Sequence, residues 1–317
     1  MTEPGAARAE PRQATVVTAG LRHVYRGQTV ALDGVDLTIG TGLFGLLGPN
    51  GAGKSTLMRI LCTLLAPSAG RAAVGGHDVV HERQAVRRLL GYLPQEFGAW
   101  RLQRVEEVLD TLGLLSGLKD RSRRRTRVRE VLEQVGLADV ADRKVKKLSG
   151  GMVRRLGVAQ ALVHDPAVIV VDEPTVGLDP EERLRFRQLM AGLGQDRTIV
   201  LSTHIVADLG SGCRDLALID SGKIVFRGSP AELLARGRGS VLEVVVAAGS
   251  EPRLPPGVEI VSRAREGESV RLRAVLGEAR PPEGGRIADA TTLEEAYLAF
   301  MAARGRAGAA LVEEGDR

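Results

Sequence analysis

GPNGAGKST, residues 48–56, follows an apolar run at Leu43–Leu47 and sets Gly48, Gly53, Lys54 and Ser55 at P-loop spacing. The chemistry explains the pattern. Glycines let consecutive backbone N–H groups turn inward around a phosphate, a lysine at position 54 reaches the β- and γ-phosphates, and the Ser55 hydroxyl can ligate Mg²⁺. A helix beginning near Lys54 adds its positive dipole end to the same anion site. Strand, glycine-rich loop and helix in this order make the chain a nucleotide binder.

The bulk composition sets the frame. The chain has 317 residues, with 44% hydrophobic and 26% charged residues, which fits a soluble globular protein with one large domain and a smaller one. It holds no run of about 18 apolar residues, so it is not expected to span a bilayer. Residues 1–15 (MTEPGAARAEPRQAT) lack an apolar signal region and read as a disordered tail. Cys62 and Cys213 show no paired spacing and read as free thiols in a reducing compartment. A net charge of +5 permits nucleic acid or an anionic membrane nearby without requiring either.

Three short Val/Ile/Leu runs end at chemistry-bearing residues. Leu43–Leu47 enters the glycine loop, Val168–Val171 ends at Asp172, and Ile199–Leu201 leads to His204. Such runs separated by helical stretches read as buried parallel strands, whose ligands sit beyond the carboxyl ends, so the three clusters are expected to converge on one crevice. Between Gln95 and Leu148 the pattern turns helical and Arg-rich. Leu109, Leu112, Leu114 and Leu115 mark one helix, and Val128, Val131, Leu132 and Val135 another, closed by Gly136. Arg236–Ser240 reads as a linker. Beyond it, strands at Leu242–Val246, Val258–Val261 and Val270–Leu276 precede a helix over Thr291–Ala303 with a Thr cap and Glu295 nearby.

LSGGM, residues 148–152, is the second strong signal. Ser149 reads as an N-cap, with the Gly150 and Gly151 amides opening a helix that Asp165–Pro166 closes. That helix start is a second anion site, where one nucleotide needs only one cradle. The runs Arg121–Arg129 and Lys144–Lys147 read as solvated faces. His23, His77, His81 and His164 show no metal-ligand spacing.

Together these residues resemble the ATP-binding subunits of ABC transporters over about Thr18–Leu234. LSGGM matches the signature, VIVVDE at 168–173 the Walker B strand with its following glutamate, and GYLPQ, ending at Gln95, the Q-loop. GLDP at 177–180 matches the D-loop, and STH, ending at His204, the switch histidine. The resemblance implies an α/β fold: a P-loop NTPase core of the ABC ATPase type over 16–235, an inserted helical subdomain over about 96–165, and a small α+β C-terminal accessory module over 241–317. It implies ATP and Mg²⁺ as cofactors. Nucleotide contacts fall to Tyr25 (stacked on adenine), Gly48, Pro49, Asn50, Gly51, Ala52, Gly53, Lys54, Ser55 and Thr56. Asp179 of the D-loop is a further nucleotide contact, while Ser149, Gly150 and Gly151 of the signature would act from the other subunit of a head-to-tail dimer. Ser55, Gln95 and Asp172 would approach the metal. Glu173, His204 and Gln95 would be catalytic, with Glu173 orienting or deprotonating the attacking water and His204 stabilising the γ-phosphate.

Several stretches also look like the type-two (drug and antibiotic) exporter branch: GLFGLLGPNGAGKSTLMRIL, KVKKLSGGMVRRLGVAQALV and the tail TTLEEAYLAFM at 291–301. GAWRLQRV at 98–105 departs from the Leu-Thr pattern usual there. Phe97 and Trp100 are either core residues or the floor of the groove where a membrane partner docks. The expected partners are a separate membrane-spanning permease and a second copy or homologous ATPase subunit, with no nucleic acid. The expected place is the cytoplasmic face of the membrane. The alternative is a soluble ABC ATPase of a nucleic-acid- or ribosome-associated complex, against which stand the single cassette and the lack of a long coiled-coil insert.

Overall fold

The computed structural model describes residues 15–98, 100–210, 212–250, 254, 258–276 and 285–305. Of the tail read over 1–15, all but Thr15 lies outside the described residues, as do 306–317 of the C-terminal module. The chain divides between Arg227 and Gly228 into two compact units.

The first unit runs β1 (Val16–Val24), β2 (Val30–Ile39), β3 (Gly42–Leu47), α1 (Lys54–Leu61), β4 (Ala69–Val74), β5 (His77–Asp78), α2 (Arg83–Leu89), β6 (Leu90–Leu93). There follow α3 (Val105–Leu115), α4 (Arg121–Gln134), α5 (Gly150–Leu162), β7 (Val168–Asp172), α6 (Pro180–Leu193), β8 (Thr198–Thr203), β9 (Cys213–Asp220) and β10 (Lys223–Gly228). Six strands form one sheet in the order β10-β9-β3-β8-β7-β6, parallel from β9 to β6. Buried on both faces, β7 and β8 can be continuous Val/Ile/Leu runs where a half-exposed strand would alternate. Register places Leu47 beside Thr203 and Asp172 beside Ser202, so the glycine loop, Asp172 and His204 all leave the same edge of the sheet. The expected convergence is present. A second, antiparallel sheet, β2-β1-β4-β5, shares a core with α1 and the large sheet. Leu21, Leu32, Leu46, Met58 and Ile60 in that core are fully buried, each contributing about 1.5–3 kcal/mol.

Between β6 and β7 the described residues form helices joined by turns and loops, with one isolated bridge, Arg104–Lys144. Gly136 closes α4 with φ +65°, the left-handed conformation that helix ends favour. The helix expected at Leu109–Leu115 is α3, which contains all four leucines. Val105, Val108 and Leu109 are its buried face, whereas Leu114 and Leu115 are 48% and 73% exposed. Nine residues at ~100° each put Leu114 about 180° from Val105, on the opposite side of the helix. The arginine run is also not a uniform solvated face. Arg124 is buried, with Nε donating to Asp110 at 2.8 Å, and Arg127 donates to the Leu162 carbonyl at 2.8 Å and to Asp165 at 3.1 Å.

The second unit holds α7 (Pro230–Gly237), β11 (Val241–Ala247), β12 (Glu259–Glu266), β13 (Ser269–Val275), β14 (Arg286–Ile287) and α8 (Leu293–Ala302). Its sheet is ordered β12-β13-β11-β14, with each strand antiparallel to its neighbours. Thr292 and Glu295 form a reciprocal capping box at the start of α8. The contact boundary falls ahead of α7, a helix that the sequence reading had placed with the cassette. α7 packs on α8, where a Cβ on Gly237 would lie 2.5 Å from Cα of Ala296. Glu243, 7% exposed, collects Arg286 at 2.9 Å and Arg271 and Arg273 at 3.3 Å, and Arg273 also holds Glu295.

Candidate nucleotide site

The glycine loop leaves β3 under tight steric limits. A Cβ on Gly48 would lie 2.2 Å from the Ile219 carbonyl oxygen. Gly53, at φ +109°, leaves 2.4 Å between such an atom and the Ala31 carbonyl oxygen. Over Gly51 the space is open, which is the side a ligand can approach. Lys54, 4% exposed, donates from Nζ to the carbonyls of Gly48 at 2.7 Å and Pro49 at 3.1 Å. α1 begins with no side-chain cap and no acidic residue in its first turn, so its leading amides have no side-chain competitor for an anion. Ser55 is half-buried in that turn. Thr56 is buried, its hydroxyl 3.2 Å from the hydroxyl of Tyr25. Tyr25 is 37% exposed and meets His23 edge-on at 4.6 Å.

Facing this cradle, β7 ends in two buried carboxylates. Asp172 accepts from the Ser202 hydroxyl, which in turn accepts from the Glu173 amide at 3.1 Å. Glu173 has φ +43°, a left-handed backbone that a non-glycine residue adopts only under constraint. One carboxylate oxygen lies 3.1 Å from Lys54 Nζ and the other 3.2 Å from His204 Nδ1. The structure therefore brings Lys54, Glu173 and His204 to one point, beside Asp172 and the loop. Cys62 is buried nearby, its thiol pushed well up by burial and by the charge of Asp172.

Ser149, Gly150 and Gly151 stand apart from that point. Ser149 caps α5 by accepting from Met152 N at 3.2 Å. Gly151 lies against Glu182, where a Cβ would come within 2.3 Å of Oε2. Asp179 caps α6 by accepting from Glu182 N at 2.8 Å. Among the described residues, no hydrogen bond or ion pair joins Ser149, Gly150, Gly151 or Asp179 to Lys54, Glu173 or His204. Gln95 is exposed, and its backbone carbonyl, with that of Pro94, accepts from Arg154 of α5. Phe97 and Trp100 separate: Phe97 packs near Gly157 of α5, while Trp100 is 43% exposed.

Comparison with known proteins gives this geometry its family. A model described as "ABC transporter" matches residues 32–176. A daunorubicin resistance ATP-binding protein, DrrA3 of Streptomyces coeruleorubidus, is 39% identical over 234 residues, covering 73% of this chain and 74% of that protein. The chain belongs to the ABC transporter ATP-binding proteins. The Nod factor export ATP-binding protein I of Ralstonia nicotianae is 40% identical, with 71% and 70% covered. Among solved structures, a dimeric ATP-binding cassette in a post-hydrolysis state bound to ADP and Pi matches with TM-score 0.61 and 25% identity, over 68% of this chain and 98% of that one. As an ABC ATPase, the chain binds and hydrolyses ATP as part of a transporter, in a family whose cassettes dimerise and work with membrane components. Among the described residues no helix is long and apolar enough to cross a membrane.

The cassette's residues fit the nucleotide. A buried ammonium, uncapped amides and open space over Gly51 suit a polyphosphate, and the hard oxygens of Ser55 and Asp172 suit Mg²⁺, which favours few carboxylates plus phosphate. The sequence reading missed Ser202, Thr203, Thr175 and Asp208, all buried around Asp172, Glu173 and His204. Ser202 and Thr203 carry a signal, since STH ends a strand in register with Asp172. Asp208 carries none, because only the fold brings it to Thr175.

Proposed function

We propose that this ABC ATPase drives export through a separate membrane-spanning partner, acting peripherally on the cytoplasmic face of the membrane. It does so as a head-to-tail dimer with a second copy or a homologous ATPase subunit. The observation that carries the catalytic part is Glu173, buried at the end of β7 between Lys54 and His204. The daunorubicin resistance and Nod factor export relatives support the export part.

Each residue has a role in this reading. Tyr25 stacks on adenine, and the loop from Gly48 to Thr56 wraps the phosphates, with Lys54 exchanging its contact to Glu173 for their charge. Mg²⁺, held by Ser55, Asp172 and Gln95, would neutralise negative charge on the phosphate oxygens. Glu173 then orients a water and takes its proton. His204 donates toward the γ-phosphate as charge spreads over it. Ser149, Gly150, Gly151 and Asp179 serve the ATP of the opposite subunit, which accounts for their hydrogen bonds staying away from Lys54 in the single chain. Affinity purification of the tagged chain from solubilised membranes tests the export reading. A polytopic membrane protein should co-purify, with ATP turnover that Glu173→Gln abolishes. Recovery of the chain without any membrane protein would contradict it.

A further inference from the structure

We infer that Asp208 is a positioning residue that holds Glu173 and His204 in register for hydrolysis. The inference rests on the reading of those two residues as the hydrolytic pair. Asp208 lies in the short turn Val206–Leu209 after β8 and is 1% exposed. A single carboxylate oxygen, Oδ2, accepts from the hydroxyls of both Thr175 and Thr203, the latter at 3.0 Å. Thr175 lies two residues beyond Glu173, and Thr203 immediately precedes His204. One buried acceptor therefore ties together the two loops that carry the hydrolytic groups.

The backbone at Glu173 gives the tie its purpose. At φ +43° this residue keeps a conformation that persists only where its surroundings over-determine it. The upstream side is fixed by Ser202, which donates to Asp172 and receives the Glu173 amide. Downstream, Thr175 is the nearest anchored side chain, and its anchor is Asp208. The second carboxylate oxygen, Oδ1, is buried without a hydrogen bond and lies 3.9 Å from Nε of Arg183, itself unbonded. Arg183 belongs to the first turns of α6, directly after the Asp179 cap, so the carboxylate faces a third segment that also bears a site residue. A buried carboxylate that served stability alone would have no need to bridge these particular neighbours. One that serves positioning must, because a misplacement of about 1 Å at a reacting group costs about 10²-fold in rate.

The test uses the purified full-length chain and compares Asp208→Ala, Asp208→Asn, Thr175→Val and Thr203→Val with wild type and Glu173→Gln. Steady-state ATP turnover, affinity for a fluorescent ATP analogue and thermal midpoint are measured for each. Asp208→Ala should lower kcat by about 10²-fold while nucleotide affinity stays within about threefold. Asp208→Asn, which keeps an oxygen acceptor for both threonines, should recover most of the loss. Adding Thr175→Val to Asp208→Ala should cost nothing more, because the only acceptor of that hydroxyl among the described residues is already gone. Should Asp208→Ala fail to fold, Thr175→Val, whose hydroxyl bonds Asp208, carries the test, lowering kcat at unchanged affinity. A folded Asp208→Ala with near-wild-type kcat, beside an inactive Glu173→Gln, overturns this inference and leaves the catalytic reading standing. Turnover by Glu173→Gln itself would sink both.

Discussion

Replacing Glu173 by Gln separates two roles of one carboxylate. The isosteric amide keeps the shape of the side chain and removes its charge and basicity. Loss of a positioned general base costs typically about 10²–10⁴-fold, which sets the expected fall in kcat. The structure adds a second effect. Lys54, 4% exposed, has Glu173 at 3.1 Å and two loop carbonyls as its neighbours. Removing one partner of a buried pair costs about 3–5 kcal/mol, and the carbonyls that remain argue for the lower end, about 3 kcal/mol. For a unit of this size each kcal/mol moves the midpoint by about 2–4 °C, so the variant without nucleotide should melt about 6–12 °C earlier. ATP returns negative charge to Lys54, so the rise in melting temperature on adding Mg-ATP should be larger for the variant than for wild type. Phosphate release and differential scanning fluorimetry, each with and without Mg-ATP, read both effects. Turnover within about threefold of wild type would refute the catalytic role. A variant whose midpoint without ATP matches wild type would refute the buried-pair argument.

Lys54→Ala should act earlier in the cycle, weakening ATP affinity itself because it removes the charge facing the phosphates, and a binding titration reads this directly. Burial pushes the thiol of Cys213 up to about 11 and raises that of Cys62 as well. Neither should react with a thiol reagent at pH 8 in the folded chain, and both should react after denaturation. In the second unit, the Arg286 guanidinium, with Arg271 and Arg273, holds the Glu243 carboxyl below its ordinary value of 4.5. A depressed carboxyl contributes stability that is fully present above 4.5 and is lost as pH falls through the lowered value. Calorimetry of the whole chain should therefore show a transition that weakens below that pH, with the dependence reduced in Glu243→Gln.

What could be read from the sequence followed local constraint. The glycine loop was legible because phosphate binding demands glycines at fixed spacing, and the glycines at 48 and 53 indeed sit where a Cβ would strike the Ile219 and Ala31 carbonyls. The three buried strands were legible because parallel strands covered on both faces cannot alternate. The leucines at 109–115 were enough to mark a helix but not its buried face, which Val105, Val108 and Leu109 form at i, i+3 and i+4. Apolar residues at helical spacing in the last helix, read over Thr291–Ala303, fit a core face and a partner face equally. The structure buries Ala296, Tyr297 and Met301 and packs that helix on α7 and β13. Asp208 was beyond reach, since its two threonine partners are 33 and 5 residues away and only the adjacent ends of β7 and β8 bring them together.

Mixing two inactive chains tests the account most directly. Lys54→Ala spoils the phosphate cradle and leaves the LSGGM helix intact, whereas Ser149→Arg does the reverse. If the LSGGM segment of one chain closes over ATP held by the glycine loop of the other, a mixed dimer contains one site built wholly from wild-type residues. Homodimers of either parent contain none. ATP turnover of the mixture should rise clearly above both parents and grow with the fraction of mixed dimer, measured by differential tagging. Mixed dimers present in quantity, with turnover no higher than that of either parent, would contradict a nucleotide site shared between two chains.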